Sequence, residues 1–150
     1  MVVERNSISV VKQLCTLMDA TLFIQDKVDV ACIEHLVGFC LAWSCGACLV
    51  EEDQAAFNQL LVKATRQSNS FDFFAHFYDI ESKRFVLWQD IKLPYQPPKD
   101  GRFTSIFVPT IDSTRYSWLL ETILASKDPK PVMFCGVQSA AKSATASTAL

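Results

Sequence analysis

Two groups of residues in this 150-residue sequence have the types and spacing to do chemistry. In the first, the apolar run Val132 to Cys135 leads into Gly136, and the stretch Gly136 to Ser143 reads G-V-Q-S-A-A-K-S. It follows the pattern G-x-x-x-x-G-K-[ST], except that Ala141 stands where the second glycine belongs. That pattern is a strand feeding a phosphate-binding loop. Backbone N–H groups point inward around phosphate oxygens, a lysine supplies charge, a hydroxyl binds Mg²⁺, and the next helix presents its N-terminus. Lys142 suits the charge role, Ser143 the metal role, and Gly136 the turn out of the strand. Such loops need glycine where the backbone takes unusual angles, and Ser139, Ala140 and Ala141 are less permissive. The competing reading is a chance match in a tail of small residues.

The second group is Cys45-Gly46-Ala47-Cys48. A redox pair places its first cysteine at a helix N-terminus, and a zinc site needs a second pair of ligands at suitable spacing. Cys45 lies instead within an apolar segment, with Cys32, His35 and Cys40 nearby in sequence. Core cysteines are therefore the expected reading. His35 and His76 read as structural or surface residues, and Asp79, Glu81 and Asp90 as solvated groups around a hairpin. No Ser/His/Asp or Cys/His constellation stands out.

The elements that must position these groups follow from periodicity. Val10, Val11, Leu14, Cys15, Leu17, Met18 and Leu22 recur at helical spacing, which predicts an amphipathic helix over Ser7 to Phe23, broken by Asp26-Lys27. From Val30 to Val50 the pattern is apolar all round, as in a helix covered by neighbours. Gly38 and Gly46 lower helix propensity there, or admit the close approach of another element. Glu51-Glu52-Asp53 suit the first turn of a third helix, whose stripe would be Ala56, Phe57, Leu60, Leu61 and Ala64. Arg66 to Ser70 reads as loop. Phe71 to Tyr78 then alternates with period two, Asp79 to Lys83 is a polar turn, and Arg84 to Trp88 returns as a second aromatic-rich strand: a β-hairpin. Leu93 to Arg102, with Pro94, Pro97, Pro98 and Gly101, is a linker and the domain boundary. Phe103 to Val108 reads as a short strand. Asp112 or Ser113 would cap a helix carrying Tyr116, Leu119, Leu120, Ile123 and Leu124 on one side. The tail from Ser139 to Leu150 is either the helix after a phosphate loop or a frayed end.

Composition limits the classes of function. Half of the residues are apolar, including 11 Phe and 3 Trp, which is enough for a packed core. The net charge of −2 gives no electrostatic reason to expect nucleic acid or an acidic membrane surface. The longest uncharged apolar run, Leu36 to Val50, is shorter than the roughly 20 residues a membrane helix needs. A cleaved leader is not expected, and the six cysteines suggest reduced thiols in the cytosol.

From Ile106 onward the sequence resembles the dynein heavy chains, ring-shaped motors with six AAA+ modules in one chain. The residues that carry this are I-F-V-P-T-I-D-S-T-R-Y-S-W-L-L (106–120), K-P-V-M-F-C-G (130–136) and A-K-S (141–143). The likeness is to the opening of the third module, above all in axonemal members, where the loop commonly reads G-E-S-G-T-A-K-T. Upstream, L-A-W-S-C-G-A-C-L-V-E-E-D (41–53) resembles the W-S-x-G-A segment in the helical lid of the second module.

The resemblance implies an α+β chain. A helical lid-like region (1–70) and a β-hairpin with a Pro-rich linker (71–102) precede the strand-helix-strand-P-loop start of an α/β AAA+ core (103–150). It implies that Val108, Pro109 and Thr110 border the adenine of ATP or ADP. Gly136, Lys142 and Ser143 take the phosphate and Mg²⁺ positions. Val137, Gln138, Ser139 and Ala140 depart from the family's E-S-G-T, which removes the central glycine and makes the loop degenerate. The implied partners are other modules of the same heavy chain and, through the parent, intermediate and light chains and microtubules. Neither nucleic acid nor membrane is expected. The implied place is the cytoplasm and cytoskeleton, with the ciliary axoneme for the parent. Hydrolysis also needs an acidic strand, a residue to orient water and an arginine from a neighbouring module. These are expected outside the 150 residues, so the chain reads as part of a longer protein or a shortened product, not catalytic by itself.

Overall fold

The computed structural model describes residues 6–22, 30–79 and 81–149. Three helical segments open it: α1 (Ser7–Leu22), α2 (Val30–Leu41) and α3 (Glu51–Ala64). The expected α1 is present up to Leu22, while Phe23 and the break at Asp26-Lys27 lie outside the described residues. Between α2 and α3 the helix widens into a π-helical turn, Ala42–Gly46. At its middle is Ser44, whose Oγ donates to the Cys40 carbonyl at 2.6 Å. A hydroxyl bonded back to the i−4 carbonyl competes for the backbone acceptor and bends a helix. The long helix expected over Val30 to Val50 is therefore shorter, ending at Gly46 in a widened turn.

Both glycines of this segment admit close neighbours. A Cβ on Gly38 would stand 2.7 Å from the Phe73 ring, and one on Gly46 would stand 2.5 Å from Phe74 and 2.9 Å from Phe57. The two phenylalanines belong to the segment expected to be the first hairpin strand, but Phe71 to Ala75 is a turn. Its backbone is held by side chains instead of a strand partner. Asn58 donates from Nδ2 to the Phe71 carbonyl (2.8 Å) and accepts at Oδ1 from the Phe73 N–H (2.9 Å), while Asp72 Oδ1 accepts from the Phe74 N–H (2.8 Å). Because the turn is not pleated, successive residues Phe73 and Phe74 are both buried. The hairpin is confined to β1 (His76–Asp79) and β2 (Arg84–Leu87), antiparallel, with His76 opposite Leu87 and Asp79 opposite Arg84. Trp88 begins a one-turn helix, α4 (Trp88–Ile91), and does not extend the strand.

The same Asn58 contact corrects the stripe on α3. Leu61 and Val62 are buried and Phe57 half-buried, whereas Leu60 is 64% exposed and Ala56 and Ala64 face solvent. The inner side of α3 includes polar Asn58 and Thr65, which apolar periodicity does not detect. The acidic first turn of α3 is as expected, and Lys63 sits in its last turn.

Past the coil of 92–102, two further strands were expected. Phe103–Ser105 is instead a 3₁₀ turn organised by Asp100, which accepts from the Arg102 N–H (3.1 Å) and the Ser105 hydroxyl (2.7 Å). Residues 106–110 and 132–135 carry no regular secondary structure and pair with no strand among the described residues. Parallel strands are stable when flanked and covered on both faces. Here Phe103 is 87% and Met133 81% exposed. Helix α5 (Ile111–Leu124) begins at Thr110, not at Asp112 or Ser113. The Thr110 Oγ1 accepts from the Ser113 N–H (3.1 Å) and the Ser113 Oγ accepts from the Thr110 N–H (2.9 Å), a reciprocal cap worth about 1 kcal/mol. The tail is helical, α6 (Lys142–Ala149).

One aromatic core joins these pieces. Trp88 is fully buried, with the rings of Phe77, Trp118, Trp43 and Phe39 centred 5.0, 5.6, 5.9 and 6.4 Å away. Trp118, from α5, was not in the expected stripe, and it is the residue that ties α5 to the lid side of the chain. Of the stripe itself, Leu120 is buried and Leu119 and Ile123 pack on the core, while Tyr116 and Leu124 are partly exposed, at 43% and 37%.

Cys40 lies in this core beside Thr21, whose hydroxyl is 3.7 Å from its sulfur. Burial pushes its thiol up to about 12, opposed by the Thr21 contact. The native state thus prefers the neutral thiol, so stability from this group is full below pH 9 and falls between about pH 9 and 12. At pH 8, iodoacetamide should modify exposed Cys15 and Cys135 readily and leave Cys40 untouched until the chain is unfolded in urea. Peptide mapping checks this, and native alkylation of Cys40 as fast as Cys15 would contradict the burial.

Candidate functional site

The loop of the G-x-x-x-x-A-K-S stretch occupies residues 136–141 and ends where α6 begins. Lys142 is the first residue of that helix and Ser143 the second. The Thr145 N–H donates to the Ala141 carbonyl at 2.9 Å, which makes Ala141 the residue before the first turn. Ser139 and Ala141 both adopt positive φ, 63° and 54°. These are left-handed conformations that glycine takes freely and residues with a Cβ take at a cost of order 1 kcal/mol each. The loop therefore has the backbone twist of a glycine-containing turn without the glycines. Gly136, expected to make the turn, does not need to be glycine on steric grounds. A Cβ there would meet Ala140 and Lys142 at 3.7 Å, an ordinary contact.

Lys142 does not extend into solvent. Its Nζ donates to the Val137 carbonyl at 2.6 Å and to the Gly136 carbonyl at 3.1 Å. The Ala140 N–H leans on the same Val137 carbonyl at 3.4 Å. Two loop carbonyls thus converge on the ammonium.

Lys142 also reaches a cleft of about 640 Å³ between α1, the π-helical turn, α5 and the segment 130–135. Its walls are apolar at Leu17, Trp43 and Leu120 and basic at Lys12, Lys130 and Lys142. Tyr116 stands at its edge, its phenol pushed up by burial and then by the neighbouring Asp112 carboxylate. Lys12 was not singled out by sequence reasoning, and Tyr116 was named only as part of the apolar stripe of its helix. Val108, Pro109 and Thr110 do not line this cleft. Val108 is exposed, and Thr110 is engaged in capping α5. The loop brings Gly136 to Lys142, whose neighbour is Ser143; of the expected site residues, Lys142 alone lines the cleft.

Cys45 sits half-buried in the π-helical turn, 3.7 Å from the Ser44 hydroxyl, and Cys48 is half-buried on the cleft wall. Among the described residues no group of three His, Cys, Asp or Glu side chains is placed to hold a metal ion.

A family model of the dynein heavy chain AAA lid domain matches residues 1–90, and one of the P-loop containing dynein motor region matches residues 95–150. The chain belongs to the dynein heavy chain family. Among similar proteins, the Dynein-1-alpha heavy chain of the flagellar inner arm I1 complex of Chlamydomonas reinhardtii is 30% identical over 156 residues. Dynein axonemal heavy chain 6 of Homo sapiens is 29% identical over 153 residues. Each alignment covers 93% of this chain but only 3% and 4% of the respective relative. The chain thus spans a small part of the length of the heavy chains it matches.

In this dynein heavy chain sequence, Lys142 and Ser143 offer the donor chemistry that a nucleotide's phosphates and its Mg²⁺ require, an ammonium and a hydroxyl at the start of an eight-residue helix. The residue types fit the nucleotide. The carbonyls of Gly136 and Val137 accept from the Lys142 ammonium and so tie the start of the loop to the start of α6.

Proposed function

We propose that the chain forms the junction between a helical lid (1–70, with the hairpin and linker of 71–102) and the opening of the next P-loop module (103–150) in an ATP-driven microtubule motor. In that setting it contributes a regulatory nucleotide pocket with a degenerate loop. Val108, Pro109 and Thr110 border the adenine, Gly136 and Lys142 face the phosphates, and Ser143 reaches Mg²⁺. When bound, the nucleotide and its metal supply the charge that draws the loop, the cleft and neighbouring modules together. The partners in this reading are other AAA+ modules of the same heavy chain, with intermediate and light chains and microtubules engaged through the parent. The flagellar and axonemal names of the relatives favour the ciliary axoneme as its place.

One observation carries the reading. The lid match ends at residue 90 and the P-loop match begins at 95, at the close of α4, yet the two halves share a core through Trp118, Trp88 and Phe39. A lid and a module start that pack on each other are what a module junction requires. Isothermal titration of the folded chain with Mg-ATP tests it. Saturable binding is expected, weakened at least about tenfold in Lys142→Ala through loss of a charge-assisted contact.

A second reading is a non-catalytic helical interaction module with a decayed loop. The positive φ at Ser139 and Ala141 favours it. Absence of Mg-ATP binding in a chain with a cooperative unfolding transition would select it.

A further inference from the structure

Residues Leu93 to Lys99 read L-P-Y-Q-P-P-K. The pyrrolidine rings fix φ at Pro94, Pro97 and Pro98, and the clash with a following ring keeps Leu93, Gln96 and Pro97 out of the helical region. Of the six residues before Lys99, only Tyr95 escapes both restraints. The segment is thus biased toward the left-handed polyproline II helix. It is also open to the outside. Residues 92–98 belong to no helix or strand, and Leu93 to Pro97 are exposed. Tyr95 and Gln96 make no hydrogen bond within the protein among the described residues. Lys92, after α4, leads in at φ −61° and ψ 121°, and a turn closes the segment, with the Gly101 N–H donating to the Pro98 carbonyl at 3.2 Å. Lys99 is exposed and has no ion pair among the described residues. The adjacent Asp100 carboxylate is engaged instead by the Ser105 hydroxyl and the Arg102 N–H.

A polyproline II helix has three residues per turn, so residues three apart share a ridge. Leu93, Gln96 and Lys99 form one ridge, Pro94 and Pro97 a second, Tyr95 and Pro98 the third. The third is the less exposed, with Tyr95 at 47% and Pro98 half-buried, against 71% for Leu93. The outward ridges therefore present two pairs, Leu93-Pro94 and Gln96-Pro97, with a cation two residues beyond. We propose that residues 93–99 are a docking segment for an SH3-type domain, whose aromatic-lined groove takes the two pairs and whose acidic rim takes Lys99. A segment stiffened in advance loses little entropy on docking. A bare spacer needs the stiffness, but neither the exposed leucine nor the cation in register. The proposal stands apart from the nucleotide reading, and failure of either leaves the other untouched.

The test uses the whole chain, with immobilised SH3 domains that take proline-rich ligands ending in lysine or arginine, and WW domains beside them. Saturable binding to an SH3 domain is expected. Pro97→Ala, which empties the second pair, and Lys99→Glu, which reverses the cation, should each weaken it at least about tenfold. Tyr95→Ser, on the ridge turned away, should stay within about threefold. All three positions lie in exposed coil, so urea midpoints equal to that of the unsubstituted chain are expected and confirm that the variants are folded. Binding to no SH3 domain, or to WW domains alone, would overturn the proposal. So would indifference to Pro97→Ala or Lys99→Glu, or a loss in Tyr95→Ser as large as theirs.

Discussion

Trp88→Ala should lower the stability of the chain by about 3–5 kcal/mol, the range for emptying a fully buried aromatic site. Trp88 has no exposed surface, and four aromatic rings surround it, two from the lid side (Phe39, Trp43), one from the hairpin (Phe77) and one from α5 (Trp118). Domains of this size are stable by about 5–15 kcal/mol in all, so the variant would sit near its unfolding threshold. Urea denaturation followed by circular dichroism reads the effect. A loss below about 1 kcal/mol would mean that the ring is not central. Trp88→Phe provides the sharper comparison. The indole Nε1 of Trp88 is buried with no acceptor among the described residues, a group that costs about 1–3 kcal/mol to leave unpaired. Phenylalanine removes that group while keeping most of the ring. The expected loss is therefore much smaller than for alanine, about 1 kcal/mol, with the relief of the orphan N–H offsetting much of the lost area.

Gly38→Ala tests which of two opposing effects wins. Helix propensity alone favours alanine over glycine inside α2 by about 1 kcal/mol. Packing opposes it, because the added methyl would stand 2.7 Å from Phe73 Cε1, 2.9 Å from its Cζ and 3.1 Å from the Thr65 methyl. Phe73 is fully buried and wedged against the rings of Phe71 and Phe85, so it has little room to retreat. Overpacking of this kind costs about 1–3 kcal/mol. The net result should be destabilisation by about 1–2 kcal/mol. Thermal melting of the two proteins decides the sign, and a stabilised Gly38→Ala would show that the Phe73 ring moves freely.

These two sites also mark what could be read from residue types. The helices α1, α3 and α5, the hairpin and the linker at 93–102 follow from local pattern. The close approach at Gly38 and Gly46 was one of two readings of those glycines. What escaped depended on partners remote in sequence. Nothing in A-W-S-C-G departs from a helical pattern, yet a single hydroxyl bonded to the Cys40 carbonyl accompanies a widened turn there. The side of α3 that faces inward is chosen by Asn58 because the turn at 71–73 supplies its partners. Phe103 to Val108 and Val132 to Cys135 have the composition of strands, but a strand forms only beside another. In the candidate site, the placing of Lys142 and Ser143 at the start of a helix was legible in the motif. The direction of the loop carbonyls was not, since it follows from backbone angles at Ser139 and Ala141 that their residue types disfavour.

The three tryptophans of the chain come from three separate segments, the π-helical turn, the start of α4 and the middle of α5. Their rings form a chain, Trp43 to Trp88 at 5.9 Å and Trp88 to Trp118 at 5.6 Å. Indoles this close exchange excitation before they emit. The docked molecule should therefore show depolarised emission and a coupled near-ultraviolet signal, both lost when α5 separates from the lid. The sequence contains no other tryptophan to dilute that signal. The protein thus carries a built-in optical gauge of whether its two halves are in contact.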